Sequence, residues 1–475
     1  MDKKLYLHKK NYVYDIVDYY PFIVNEEKKY LLFNQARHYW IVINDIGLEI
    51  YKLIGKLNYL KKVRKEIINK YNISEEVYQT DVIPIIYELE KDGFILEEGE
   101  EKKDWIDLNL TNFETDYLLN YIYINISDKC NLDCIYCFNK EKRKDRISNS
   151  TENKLTVEII TGILREYKNM GGIGVVFTGG EPTLCCNLME FCKEAKSIGL
   201  ETHIITNGTL LYKLDNEQLC NYVDGISLSL DSVVNDELKT LWNIDVDNNV
   251  ERILEALQNI DQFSINNPIN ITIMPIVTKI NMKNQWMLYQ KINETVHNCK
   301  VNWKITKYGR IHKGIDDELD IEEAEYVQSI SENMKKAFDI SENDQILTQK
   351  INYFAITHSG QRIPSKRPKL MRCIPSLFIT YNGDVFPCQH CEVDIYKLGN
   401  IHDTSLNDIF QGPSFQSLIT DLSVNCIEEC KSCELRYICT NIIPYCMRNQ
   451  HNDGKKCKTN TIQRMYLLTY KRESD

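Results

Sequence analysis

Three cysteines stand close together, Cys130, Cys134 and Cys137, in the segment CNLDCIYC. With three and then two residues between them, three thiolates on one loop can converge on a single metal centre. A structural zinc site would need a fourth ligand, a distant Cys or His, to close its tetrahedral shell. A [4Fe–4S] cube takes four ligands, so three thiolates leave one iron open to another group. Further on, GVVFTGGEP (174–182) runs from a buried-looking strand into Gly179, Gly180 and Glu181. Paired glycines let a backbone approach a ligand closely, and carbonyls with a carboxylate make an acceptor-rich rim suited to an ammonium group. A second set of thiols lies downstream: Cys373, Cys388, Cys430, Cys433, Cys439, Cys446 and Cys457, with Cys391 and Cys426 between them. The close pairs there suit metal as well, a zinc ribbon included. Cys185, Cys186, Cys192, Cys220 and Cys299 lack ligand spacing and read as small buried hydrophobes, the first two noteworthy only for following GGEP. His390, between Cys388 and Cys391, reads as an incidental loop residue, with a hydrogen-bond donor behind a metal ligand as the alternative, and Arg310 as either a partner for a carboxylate or a surface group.

The elements that must hold these residues follow from periodicity. YIYINIS (121–127), GVVFTGG (174–180), ETHIITNG (201–208), GISLSLD (225–231), NITIMPIVT (270–278) and VNWKIT (301–306) read as strands, with helical patterns such as LTVEIITGILREYKNM and VERILEALQNI between them. Alternation of this kind predicts a parallel sheet with its chemistry at the carboxyl ends of the strands. Residues 1–100 predict a small α+β unit, with strands at 22–25, 29–34 and 38–43 and then helices, the last bent or split at Pro84. Residues 101–120 read as a linker, 121–312 as a partial barrel and 313–369 as a helical connection with a helix over 322–339. Residues 370–475 are Cys-rich and need a metal staple, and YNGDVFPC within them predicts strand–turn–strand about Asn382-Gly383. The fold class expected from the residues is α/β, a parallel sheet open or closed into a barrel.

The 475 residues, 43% of them hydrophobic, supply about three domains' worth of core and exclude a disordered chain. No apolar run reaches the about 20 residues of a membrane helix, and no signal-like segment opens the chain, so a cytoplasmic protein is expected. In a reducing compartment most of the 17 cysteines are then ligands or buried thiols rather than disulfides. A net charge of −11 gives no general attraction to nucleic acid, and the basic runs KKVRK, KEKRKDR and KRPK read as solvated surface.

The two motifs together resemble radical S-adenosylmethionine (radical SAM) enzymes, in the peptide-maturase branch with a SPASM-type extension. The family's CxxxCxΦC motif is matched by Cys130, Cys134, Tyr136 and Cys137, and its GGE motif by Gly179, Gly180 and Glu181. The resemblance implies a cluster whose open iron is chelated by the methionine amino and carboxylate groups, with Tyr136 against the adenine and the GGE segment on the amino group. TNG (206–208) and SLD (229–231) are looser matches that add Asn207, Ser229 and Asp231 as cofactor contacts, and MPIVTKIN (274–281) resembles a strand sheltering the adenine. Downstream, the SPASM pattern implies two auxiliary [4Fe–4S] clusters, one on Cys373, Cys388 and Cys446, the other on Cys430, Cys433, Cys439 and Cys457. The pattern is broken once: Ile443 stands where a thiol is expected, which leaves Cys446, Cys391, Cys426 or an open iron as ways to complete the first auxiliary cluster.

The first hundred residues resemble the PqqD-like leader-recognition module of such maturases, which binds an extended leader at an edge strand such as HYWIVI; a DNA-binding winged helix is the alternative. The family resemblance implies a partial (β/α)6 TIM-type barrel, an N-terminal winged-helix-like α+β domain and a C-terminal iron–sulfur domain. The function implied is maturation of a ribosomally made precursor peptide, of the sactipeptide or ranthipeptide kind found in bacteriocin biosynthesis, forming thioether crosslinks from cysteine sulfur to carbon. Carbon–carbon crosslinking or another peptide or protein modification is the alternative, and a non-catalytic iron–sulfur redox carrier or sensor a second one. Partners implied are the precursor peptide and a low-potential electron donor such as flavodoxin or ferredoxin, without nucleic acid or membrane.

Overall fold

The structure is a computed structural model. It describes residues 12–14, 18–24, 27–34, 39–57, 59–91, 94–97, 120–141, 143–144, 155–245, 248–265, 267–308, 318–339, 376–392 and 396–422. Cys373, Cys426, Cys430, Cys433, Cys439, Cys446, Cys457 and Arg310 lie outside the described residues, as does the 101–119 segment.

The N-terminal unit follows its pattern. Strand β1 (Tyr12–Tyr14) is followed by β2 (Asp18–Val24), β3 (Glu27–Asn34) and β4 (Tyr39–Ile43), the last three forming an antiparallel sheet in the order β2-β3-β4. Helices α1 (Asp45–Leu57) and α2 (Leu60–Tyr71) come next, α2 ending where Asn72 takes a left-handed conformation. A turn of helix at Glu75–Val77 and a π stretch at Tyr78–Val82 lead into α3 (Ile83–Lys91). The break expected at Pro84 therefore falls just before it, where the ladder widens from i→i+4 to i→i+5 and can absorb the missing proline N–H. β5 (Ile95–Glu97) returns to pair with β1. Leu32, Tyr51, Ile54, Val63, Ile67, Tyr78, Ile86, Leu89 and Phe94 close a core for this unit.

The central sheet begins with β6 (Tyr121–Ser127), β7 (Gly174–Gly179), β8 (Glu201–Thr206) and β9 (Gly225–Leu228). β10 (Asn270–Ile273) and β12 (Lys300–Trp303) complete a run of six parallel strands in the order 6-7-8-9-10-12. Helices α4 (Val157–Asn169), α5 (Leu188–Ser197), α6 (Asn216–Tyr222), α7 (Asn235–Trp242), α8 (Asn249–Phe263) and α9 (Gln285–Thr295) come between these strands. α4 starts where Thr156 Oγ1 accepts the Ile159 N–H. Its apolar stripe, Ile160, Ile163, Leu164 and Tyr167, is buried. A longer helix, α10 (Glu323–Ala337), fills the 322–339 expectation.

Two expected strands are each divided. The run 270–278 breaks at Met274-Pro275, and Ile276–Val277 becomes a separate β11 paired with β13 (Thr306–Lys307), itself cut from the 301–306 run. Pro275 brings no N–H to a ladder, and the next N–H, that of Ile276, goes to Asp231 Oδ1 at 2.8 Å. The downstream hairpin forms as expected: β14 (Phe378–Ile379) pairs antiparallel with β15 (Asp384–Phe386), and Gly383 carries φ +83° at the turn. β14 also pairs parallel with β6, and β16 (Gly399–Asn400) follows β15, so all nine strands form one sheet. Leu377, Ile379 and Val385 share the core of the six-stranded part. Glu166 on α4 accepts the backbone N–H groups of Leu406 and Asn407, at the start of helix α11 (Leu406–Gln411).

One buried carboxylate ties the helical layer to the last parallel strand. Asp261, near the end of α8, accepts N–H groups from His297, Asn298 and Cys299 at 2.8–3.0 Å, just before β12. Burial pushes its pKa up, but these donors outweigh burial and hold it below the ordinary carboxylate value. A depressed folded-state value means stability that is present above about pH 4 and lost as the pH falls through the folded pKa. Asp261→Asn is expected to destabilise the protein by about 2 kcal/mol at pH 7 and by less as the solution is acidified. Denaturant unfolding of both proteins at pH 7 and at about pH 2.5 checks this, and a pH-independent difference contradicts it.

Candidate active site

The cysteine loop is held from both sides. On one side, β6 and β7 end together: Gly180 N–H donates to Ser127 O at 2.6 Å and Glu181 N–H to Lys129 O at 2.8 Å. This contact demands glycine, because a Cβ on Gly180 would stand 2.4 Å from Lys129 O and one on Gly179 2.3 Å from Ser127 O. On the other side, Asp133 and Ile135 N–H groups donate to the carbonyls of Trp242 and Leu241 at the end of α7. Between these anchors, Cys130, Cys134 and Cys137 all line one cavity of about 340 Å³.

The cavity gathers most of the residues singled out in the sequence. Tyr136, Gly179, Gly180, Glu181, Asn207, Ser229 and Asp231 all line it. Three of them, however, spend their polar atoms on the protein. The Glu181 carboxylate accepts from Thr183 N–H and Oγ1, from Thr206 Oγ1 at 2.6 Å and from Asn207 N–H at 2.8 Å. Asn207 bonds through its side chain to Asn131 and Thr209, fastening the cysteine loop to the end of β8. Asp231 is fully buried and accepts from the Tyr136 hydroxyl, from Trp242 Nε1 at 3.1 Å and from Ile276 N–H. Asn207 and Asp231, expected as cofactor contacts, line the cavity and also brace it. Tyr136 is positioned through its hydroxyl by Asp231, with the ring at the cavity wall. Ser229 lines the same cavity from the end of β9.

Several lining residues were not expected at the site, and Arg143, from the KEKRKDR run read as solvated surface, is buried instead. Arg143 is 8% exposed; its Nη1 donates to Asp128 O, its Nη2 lies 3.8 Å from Cys137 Sγ, and its buried Nε has no partner among the described residues. Lys304, after β12, lines the cavity while its side chain is exposed, and partial desolvation there lowers its pKa. Gln389 and His390 line the same cavity from the downstream hairpin, and the His390 ring meets Phe138 of the cysteine loop at 4.9 Å. His390 is therefore part of the site wall rather than an incidental loop residue. Of the five cysteines expected as small buried hydrophobes, Cys192, Cys220 and Cys299 are buried in the core, whereas Cys185 is half-buried and Cys186 exposed.

Burial pushes the Cys130 and Cys134 thiols up, with the Asp231 charge adding to the effect on Cys134. Coordination to iron reverses that, since a metal-bound thiol is deprotonated outright. Among the described residues no three His, Cys, Asp or Glu side chains are gathered to hold a single metal ion. A cubane instead gives each thiolate its own iron, and soft sulfur donors beside a glycine cradle suit it.

Residues 124–288 match the radical SAM superfamily, and residues 373–434 match an iron–sulfur cluster-binding domain, SPASM. The chain carries a radical SAM domain and a SPASM domain. A radical SAM domain implies a [4Fe–4S] cluster and S-adenosylmethionine as its cofactors, and SPASM domains typically add auxiliary clusters. The chain is 29% identical over 249 residues to the S-adenosylmethionine-dependent nucleotide dehydratase of Flammeovirga pacifica, covering 50% of this chain and 80% of that protein. The next curated relatives, GTP 3′,8-cyclases, are matched over less than half of their own length. Among solved structures, anSMEcpe with bound AdoMet superposes with a TM-score of 0.51 at 17% identity, covering 74% of this chain and 99% of that one. Streptococcus suis SuiB bound to precursor peptide SuiA gives 0.51 at 15% identity, covering 92% and 96%. At such identities the likeness is one of fold. Among the described residues no helix is long and apolar enough to cross a membrane.

Proposed function

We propose that the protein matures a ribosomally made precursor peptide by forming thioether links from cysteine sulfur to carbon. One observation carries the reading: a single cavity is lined both by the three-cysteine loop with its glycine cradle and by the Cys388–Cys391 turn of the SPASM region. When bound, the cluster and S-adenosylmethionine supply a 5′-deoxyadenosyl radical able to take hydrogen from unactivated carbon. Cys130, Cys134 and Cys137 would hold that cluster. The backbone of Gly179 and Gly180 gives the methionine end a surface free of side chains, with Ser229 as a hydroxyl contact. The Arg143 guanidinium places a fixed positive charge beside the Cys137 sulfur. Each link would remove one hydrogen atom from carbon and one proton from the thiol, and the cofactors held by these cysteines would take up the hydrogen atom and the remaining electron.

The N-terminal unit suits leader binding. Among the described residues β4 has β3 as its one strand partner, so its outer edge can accept an added peptide strand. This favours a peptide substrate over the nucleotide named for the Flammeovirga relative.

Lys304 would hold an acidic group of the peptide. Its lowered pKa means that the cation is lost at a lower pH than for a free lysine, so affinity falls as the pH rises through that value. Lys304→Met is expected to raise KM about tenfold while leaving kcat within a small factor, a charge-assisted contact being worth about 1.5–3 kcal/mol. Steady-state kinetics across pH 6–10 check both; a KM that is flat with pH in the wild type contradicts the role.

The decisive experiment is anaerobic co-expression with a Cys-containing peptide encoded beside the gene. Thioether formation removes two hydrogens per link and leaves fewer thiols to alkylate. A carbon–carbon link removes the same mass but spares the thiols. An unchanged peptide alongside 5′-deoxyadenosine production discards the peptide reading, and absence of 5′-deoxyadenosine favours a redox carrier.

A further inference from the structure

We propose that Arg143 is the charge partner of the cluster held on Cys130, Cys134 and Cys137, a buried cation that raises that cluster's reduction potential through the Cys137 sulfur. The inference rests on the reading of the three-cysteine loop as a cluster site and gives a role to a residue outside both motifs. Three observations converge. First, the guanidinium is a buried cation without an anion. Arg143 is 8% exposed, its Nη1 donates to the neutral carbonyl of Asp128 at 3.3 Å, and its buried Nε has no partner among the described residues. Among those residues it forms no ion pair either. The carboxylates that line the same cavity, Glu181 and Asp231, are taken up by neutral donors instead. A charge removed from water without a partner is costly, and an opposite charge is what offsets it. Second, the group beside it is sulfur. Nη2 lies 3.8 Å from Cys137 Sγ, and the Arg143 charge also acts on Cys130, where it opposes the effect of burial. One cation thus addresses the first and the last thiol of the loop. Iron-bound thiolates bring negative charge to that spot, and Nη2–H then donates to an ionised acceptor. Third, the fold reserves room for it: a Cβ on Gly180 would stand 2.6 Å from Arg143 Nη1. Arg143 N–H also donates to Asn139 O at 2.9 Å, which fastens the cation to the loop it serves. One electron from a low-potential donor adds one negative charge beside these sulfurs, and a fixed cation favours the state that carries it.

The test uses the full chain, reconstituted anaerobically and titrated with dithionite, while electron paramagnetic resonance follows the signal that S-adenosylmethionine perturbs. Arg143→Met should lower the midpoint of that signal by about tenfold in the reduction equilibrium, which for one electron is about 59 mV. Arg143→Lys, which keeps the charge, should stay closer to the wild type. Signals indifferent to S-adenosylmethionine, those of auxiliary clusters, should keep their midpoints in both variants. If the Met variant does not retain iron, Arg143→Gln, neutral but still a hydrogen-bond donor, takes its place in the titration. Thermal unfolding of the iron-free protein adds a reading that needs no cluster. Arg143→Met removes an unpaired buried charge there and should unfold no earlier than the wild type. An earlier iron-free transition makes Arg143 a structural brace and overturns the proposal. An unchanged midpoint in the neutral variants also overturns it, and weaker binding of S-adenosylmethionine alongside would assign the cation to the methionine carboxylate. A wild-type protein with no signal responsive to S-adenosylmethionine overturns the cluster reading itself.

Discussion

Cys134→Ala is expected to cut 5′-deoxyadenosine formation by at least about a thousandfold, because cleavage depends on the effective molarity gained by fixing the sulfonium against the cluster. The substitution is clean. Cys134 contributes its carbonyl to a turn with Cys137 N–H, and the neighbouring Ile135 N–H is tied to Leu241 O; both bonds belong to the backbone and survive removal of the sulfur. The thiol is half-buried against the main core, so alanine leaves a small gap rather than a break in the fold. Loss of activity should be accompanied by about four fewer irons per chain, with circular dichroism unchanged. Chromatography of the anaerobic, dithionite-reduced reaction gives the first quantity and colorimetric iron the second. A variant that still turns over S-adenosylmethionine would remove the cysteine loop from the chemistry.

Glu181→Gln should cost nearly as much by another route. The carboxylate takes four donors, from Thr183 twice, Thr206 and Asn207, and so joins the ends of β7 and β8 behind the glycine cradle. Burial raises its pKa, against those same donors. An amide offers one acceptor oxygen and an NH2 group that must face a donor, leaving at least one buried N–H or hydroxyl unpaired, at about 1–3 kcal/mol. The larger consequence is positional. The cradle clears Lys129 O with no room for a methyl group, and a shift of about 1 Å at such a site costs about 10²-fold in rate. The expected outcome is weaker perturbation of the cluster's paramagnetic spectrum by S-adenosylmethionine, a turnover lower by about two orders of magnitude and a reduced unfolding free energy. Wild-type spectral response and rate in this variant would reassign Glu181 to turn formation alone.

Much of this architecture was legible in the residues. The strand 121–127 and the helix 157–169 match their expected patterns because β-branched runs, helical spacing and caps such as Thr156 act locally. The thiol loop and glycine pair were legible for the same reason. What escaped was non-local. Nothing in FIT predicts that Phe378 lies beside Tyr123 in a parallel pair, and the apolar run 270–278 hides a strand break whose freed N–H is taken by Asp231. Arg143, Lys304 and His390 reach the site from segments without a motif, and only the packed fold brings them there. The sequence likewise could not tell that Glu181, Asn207 and Asp231, expected to meet a ligand, also brace the cavity wall. The winged-helix likeness of the first hundred residues stands as a proposal, their described part being a sheet-first α+β unit.

The strand shared between β6 and β14 has a further meaning. Tyr123 N–H is bonded to Leu377 O at 2.9 Å, so the backbone that launches the cysteine loop is partly hydrogen-bonded by the tail. Damage to the tail, by oxygen or by a protease, would slacken the launching strand as well. Inactivation would spread from one iron centre to the next, and the enzyme would fail as a unit rather than one cofactor at a time.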